Sequence, residues 1–201
     1  MKKIITISRE FGAGGGEIGR EVAKRLNYEY FDKEIILRSA RESNVDVQSL
    51  LKWDEKIPMD FGFAQSLFDF YSRPLDERLF EIQQQVIRKI AERGSCVILG
   101  RNANTILKEF DNTLHVFVHA DFNWRLERMK GKMPEDTDAK IAEKIKSVDK
   151  TRKKYCSHYT ATEFGMAAYY DICANTSTLG IEDCIDTVCA LAQLEDPDGL
   201  L

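Results

Sequence analysis

The stretch Ile4–Leu26, IITISREFGAGGGEIGREVAKRL, decides the fold. Ile4 to Ser8 is a short, largely β-branched run with the composition of a buried strand. Ile18, Val22 and Leu26 then recur at the spacing of one helix face. Between them glycine occupies four of the five positions from Gly12 to Gly16. A glycine turn between strand and helix lets successive backbone N–H groups converge on an anion at the helix N-terminus. The predicted cradle is Gly12, Ala13, Gly14, Gly15, Gly16, Glu17 and Ile18. A tight turn without a ligand is the competing reading. Gly14, Gly16 and Gly19 imitate a dinucleotide G-x-G-x-x-G fingerprint, but its acidic ribose partner is met only loosely by Asp32 or Glu34. The motif that ends in G-K-[ST] is incomplete as well, because the lysine and the hydroxyl are both absent.

Working outward, Cys96–Gly100 (CVILG), Leu114–Ala120 (LHVFVHA) and Asp171–Thr176 (DICANT) read as further strands, and Tyr28–Phe31 as a short one. Helical stripes lie between and after them: Leu79, Ile82, Val86 and Ile90, then Ile181, Ile185, Val188 and Ala192. Strands alternating with helices predict βαβ crossovers and a mainly parallel sheet with the first strand central. Residues 52–74 have no clean period and read as an irregular insertion or a short helix over the sheet. A single domain is expected over 1–195, with a frayed tail at 196–201.

Composition narrows the class. The chain has 201 residues, 43% hydrophobic and 31% charged, with 4 prolines and 12 glycines, which excludes a disordered chain or a fibre and allows a sizeable core. Five cysteines without a C-x-x-C pair predict reduced, buried thiols rather than disulfides or zinc. No apolar run is long enough for a membrane span, and two lysines pass straight into IITI, so a cytoplasmic location is expected. The net charge of −4 argues against a general nucleic-acid binder. Its distribution is uneven: residues 124–155 hold eleven Lys or Arg against six Asp or Glu, about +5, so the remainder is about −9. A local anion site and a solvated mixed-charge helix face both fit that pattern.

Particular arginines stand out. Arg101 follows the strand CVILG, and ligands gather outside the carboxyl ends of parallel strands. Arg125 and Arg128 are three apart on one side of a helix. Arg152 occupies a position of the stripe Ile141, Ile145, Val148, Tyr155, so a long cation faces inward and needs an anion there, either a carboxylate or a phosphate. His115 and His119 share a strand face about 13 Å apart, too far for joint metal ligation. They read as core or edge histidines, and no metal site is expected from protein ligands alone.

The ordered set ITISREFGAGGGEIGREVAKRLNYEYFDKEII, VILGRNAN, HVFVHADFNWRLERM, AEKIKSVDKTRKKY and YDICANTS resembles the cytidylate kinase-like family, relatives of bacterial cytidylate kinase. The resemblance implies an α/β, P-loop NTPase-type three-layer fold: a mainly parallel sheet of about five strands, helices on both faces and a helical lid. It implies ATP and Mg2+ as cofactors, nucleotides as partners and a monomer or homodimer. It places an acceptor region at about 32–75, a lid at about 125–155, and Arg125 and Arg128 near the nucleotide. By the same resemblance Asp32 and Arg38, Asp149 and Asp171 are acceptor-binding candidates. Asp32 also suits a helix N-cap, Arg38 an exposed helix charge and Asp171 a turn. Arg9, Arg101, Arg125, Arg128 and Arg152 are the catalytic candidates, because phosphoryl transfer needs positive groups around the moving phosphoryl.

The family's loop G-P-S-G-A-G-K-G-T puts Gly15 at the lysine and Glu17 at the threonine. Losing that lysine removes a preorganised charge of the kind typically worth about 10² to 10³ in rate, and Arg9 stands near enough to replace it. Two functions therefore compete: ATP-dependent phosphorylation of a nucleoside monophosphate, CMP or dCMP by resemblance, or of a similar small acceptor, and a catalytically weak nucleotide-binding or sensing protein. A nicotinamide-dependent oxidoreductase is a third, more distant reading. The connection 130–138, with Gly131 and Pro134, is expected to move on ligand binding.

Overall fold

The computed structural model describes residues 2–32 and 77–194. Arg38 and the aperiodic stretch 52–74 lie outside the described residues. Five parallel strands form one sheet: β1 Ile4–Arg9, β2 Glu29–Phe31, β3 Cys96–Leu99, β4 Thr113–His119 and β5 Ile172–Asn175, in the spatial order β2-β3-β1-β4-β5. The first strand is central, with Ile7 opposite Leu99 on one side and Val116 on the other. The helices are α1 Gly15–Leu26, α2 Glu77–Arg93, α3 Ala103–Ile106, α4 Phe122–Lys130, α5 Asp138–Thr160, α6 Thr176–Leu179 and α7 Ile181–Gln193.

Alternation along the strands distributes the core between two faces. Ile4, Cys96 and Ile98 pack with Ile82, Val86 and Ile90 of α2. Ile5, Ile7, Val97 and Val116 pack on the other side with Ile18 and Val22 of α1 and Ile185 and Val188 of α7. From the expected helical stripes Ile82, Val86 and Ile90, Ile18 and Val22, and Ile185, Val188 and Ala192 are thus buried, with Leu26 and Ile181 partly so. Burial pushes the Cys96 thiol up to about 12, with Glu29 adding to it; all five cysteines are free thiols, but against the expectation of burial Cys173 is exposed and Cys189 half-buried. A third cluster, Phe11 with Met129, Ile141, Ile145 and Val148, seats α4 and α5 against the glycine turn. Among the described residues no helix is long and apolar enough to cross a membrane.

The strand boundaries fall within one residue of the sequence reading, and two of the shifts have a local cause. The third strand stops at Leu99, because Gly100, Arg101 and Asn102 are successively left-handed at φ 73°, 63° and 55°. The fifth stops at Asn175, whose side chain accepts from Ser177 N at 3.1 Å and so starts α6. Local capping chemistry ends both strands early.

Candidate functional site

The turn between β1 and α1 sits at the carboxyl end of the central strand. Gly12 and Gly14 take φ of 84° and 89°, and Gly14 is the N-cap of α1. At the start of α1 the amides of Gly15 and Gly16 have no acceptor earlier in the helix. Neighbours also require bare backbone: a Cβ on Gly14 would lie 2.2 Å from Ile181 Cδ1. Thr176, almost fully buried, donates from Oγ1 to Ala13 O at 2.9 Å and braces the turn from the end of β5.

The lid helices grip the same turn. Asp149 Oδ1 accepts from Phe11 N at 2.7 Å, and Asp149 Oδ2 accepts from Arg125 Nη1 at 2.5 Å. Arg125 Nη1 also donates to Phe11 O at 3.1 Å, while its Nε lies 3.6 Å from Glu10 Oε2. Arg152, buried as its stripe position required, donates from Nη1 to Arg9 O at 2.8 Å. Farther out, Arg128 pairs with Glu17, whose Oε2 lies 3.7 Å from Lys132 Nζ.

Between turn and lid lies a cleft of about 610 Å³ lined by Arg9 to Gly12, Gly14 to Glu17, Arg20 and Arg128, with Lys132 to Asp136, Lys144 and Arg152 along the lid side. That volume falls in the range of small-molecule sites. A second, much smaller cavity of about 20 Å³ is lined by Ser8, Arg9, Gly100, Arg101, Asn102, Arg152, Tyr155 and Phe164. Its floor is the left-handed run Gly100–Asn102, a backbone conformation that costs energy and gathers at functional sites. Gln83 of α2 holds one wall: its Nε2 donates to Arg101 O at 3.2 Å, and its side chain also bonds Tyr155 Oη.

The structure therefore brings together the glycine turn with Glu17, Arg9, Arg101, Arg125, Arg128, Asp149 and Arg152. Ile18 is buried behind the turn on the α1 side. Asp32 follows the carboxyl end of β2. Asp171 is placed elsewhere: it precedes β5 at the amino side of the sheet, where its Oδ2 accepts from His115 N at 2.6 Å. There His115 shares a 2.8 Å hydrogen bond between Nδ1 and Thr6 Oγ1, and burial holds its pKa below the ordinary value, with Asp171 pulling the other way. Four participants were not singled out from sequence: Glu10, Phe11, Gln83 and Thr176. Gln83 alone carried a signal, a polar residue in line with Ile87 and Ile90 on a buried helix face.

The residues fit the groups that a kinase fold implies. Open amides and arginines suit a polyphosphate. Magnesium in such sites takes one or two carboxylates besides phosphate oxygens, and Glu17 offers one at the cleft wall. Among the described residues no cluster of three or more metal-ligating side chains is present.

A parallel sheet with β1 central, a glycine turn at its carboxyl end and an arginine-bearing helical lid define a P-loop kinase-type protein. The profile of the cytidylate kinase-like family matches residues 4–178, and the chain belongs to that family. It is 22% identical over 196 residues to a cytidylate kinase of Haloarcula marismortui, covering 98% of this chain and 92% of that protein. Among solved structures it is similar to an uncharacterized protein from Eubacterium ventriosum, with TM-score 0.73 and 25% identity over 96% of this chain and 98% of the other. A gluconokinase from Sinorhizobium meliloti shares the fold at TM-score 0.56 and 12% identity, covering 96% and 94% of the two chains. Family and fold are those of nucleotide-kinase-type phosphoryl transfer.

Proposed function

We propose that the protein transfers the γ-phosphoryl group of ATP to a nucleoside monophosphate of the CMP or dCMP kind, or to a similar small acceptor. One observation carries this reading: the glycine turn and the lid cations line a single cleft, with a smaller arginine-lined cavity beside it. In this reading the residues from Gly12 to Ile18 form the triphosphate cradle, and Arg9, Arg101, Arg128 and Arg152 face the phosphoryl in transit. An acceptor oxygen attacks the γ-phosphorus while the bond to the β-phosphate oxygen breaks and ADP leaves. Magnesium, held through Glu17 and the phosphates, supplies charge neutralisation when bound. Arg125 and Asp149 act as positioning residues, since both are already bonded to the turn. Asp32, with Arg38 beyond it in sequence, serves the acceptor side of a region at about 32–75. Asp171 keeps the structural contact with His115. The lid spans about 125–155 of one domain over 1–195, and the protein works in the cytoplasm as a monomer or homodimer.

A second reading is favoured by Glu17: a carboxylate at the hydroxyl position, paired with Arg128 and close to Lys132, suits a nucleotide-binding protein with little turnover. A coupled ADP-release assay with CMP, dCMP, UMP and AMP decides between them. Turnover is expected, fastest with CMP or dCMP. Tight nucleotide binding without ADP formation on any acceptor would leave the second reading, and absence of both would overturn the two together.

A further inference from the structure

The motif G-x-x-x-x-G-K-[ST] has a glycine six residues before its lysine. With Gly14 as the second glycine of that motif, the first-glycine position here is Arg9 and the lysine position is Gly15. These two positions pack directly on each other. A Cβ on Gly15 would lie 2.6 Å from Arg9 Cβ, 2.9 Å from its Cγ and 3.6 Å from its Cδ. Close-packed interiors leave no room for such an overlap, so only one of the two positions can carry a side chain. The motif leaves the strand end bare and puts the cation on the helix. This chain does the reverse.

The Arg9 side chain continues past Gly15 towards β3. Its Nη1 lies 2.1 Å from where a Cβ on Gly100 would stand, so a second bare backbone position accommodates the guanidinium. Arg9 and Arg152 are the two residues that line both the 610 Å³ cleft and the 20 Å³ cavity. The guanidinium thus lies on the boundary between the space for a triphosphate and the space beside Arg101.

We infer that the cradle's cation has crossed the turn: Arg9 supplies, from the end of β1, the charge on the β- and γ-phosphates of a nucleoside triphosphate that a lysine at position 15 would supply from α1. This rests on the phosphoryl-transfer reading above. Positions 9 and 15 then form an exchangeable pair, and arginine adds a planar donor fork that can bridge two phosphate oxygens.

Calorimetric titration with inorganic tripolyphosphate and with β,γ-imido-ATP tests this on wild-type protein, R9M, R9K, G15K and R9G/G15K. R9M should bind both probes about tenfold more weakly or worse, with its melting temperature nearly unchanged, and R9K should recover part of the loss. G15K alone should melt earlier, because its Cβ meets Arg9. R9G/G15K should melt above G15K and regain tripolyphosphate binding, a non-additivity that two independent sites would not show. R9M binding both probes like wild type would overturn the inference and leave the phosphoryl-transfer reading standing, and so would an R9G/G15K protein no better than G15K in either measurement. Wild-type protein that binds neither probe would end that reading and this inference with it.

Discussion

Two ion pairs stand where the lid meets the glycine turn, and burial separates them. In the inner one Arg125 meets Asp149, with side chains only 8% and 13% exposed, and both also bond the main chain of Phe11. In the outer one Arg128 meets Glu17, and the exposures are 17% and 49%. A desolvated pair is costly to break, because the surviving partner is left as a buried charge. A half-solvated pair contributes little and exchanges readily for another anion. Arg125 and Arg128 sit three residues apart on α4, yet one is a fixed hinge for the turn and the other faces the cleft. The inner contact fixes the turn, and under the proposed function the outer one is where a phosphate displaces a carboxylate.

The largest effect expected from this difference is on stability. Substituting Asp149→Asn or Arg125→Met should lower the unfolding free energy by about 3–5 kcal/mol in chemical denaturation, with the double variant losing less than the sum. A loss below about 1 kcal/mol would put the inner contact in the same class as the outer one.

At the outer contact the effect should move from stability to binding. R128Q should change stability by less than about 1 kcal/mol and weaken triphosphate binding about tenfold. In magnesium-free buffer E17Q, which releases Arg128 and Lys132 from a competing carboxylate, should tighten it severalfold. Calorimetry on the two variants checks this, and tighter binding in R128Q would break the comparison.

The smallest effect belongs to a half-buried histidine far from the cradle. Because burial depresses the His115 pKa in the folded protein, the unfolded chain takes up that proton first. Stability should therefore fall as pH drops below about 6.5 and level off once the folded imidazole is protonated too. The difference in denaturation midpoint between wild type and H115Q, measured from pH 7.5 to 5.5, should carry this sign. A difference that does not change with pH would mean that His115 is not held neutral.

Much of this molecule is written in short-range patterns. Ile4 packs in one core face and Ile5 and Ile7 in the other, and Ile18 and Val22 of α1, Ile82, Val86 and Ile90 of α2 and Ile185 and Val188 of α7 are buried at the expected spacing. The placement of the glycine cluster after the first strand was legible for the same reason: strand, turn and helix signals depend on neighbours a few positions apart. Even the inward position of Arg152 followed from helical spacing alone.

The identity of its partners did not. Phe11 N and Asp149 are 138 residues apart in the chain, Arg152 and Arg9 O 143 apart, and Arg125 and Phe11 O 114 apart. No local period records such pairs. Asp171 is an acceptor candidate by resemblance, and nothing local in the sequence records that its carboxylate meets His115, which parallel register sets beside it at the amino end of the sheet. Likewise the bare Gly15 reads in sequence as a missing charge. In the folded chain it is space that Arg9 occupies. Volume exclusion between segments acts only once the sheet and helices have brought them into contact, so it leaves no trace in spacing or composition.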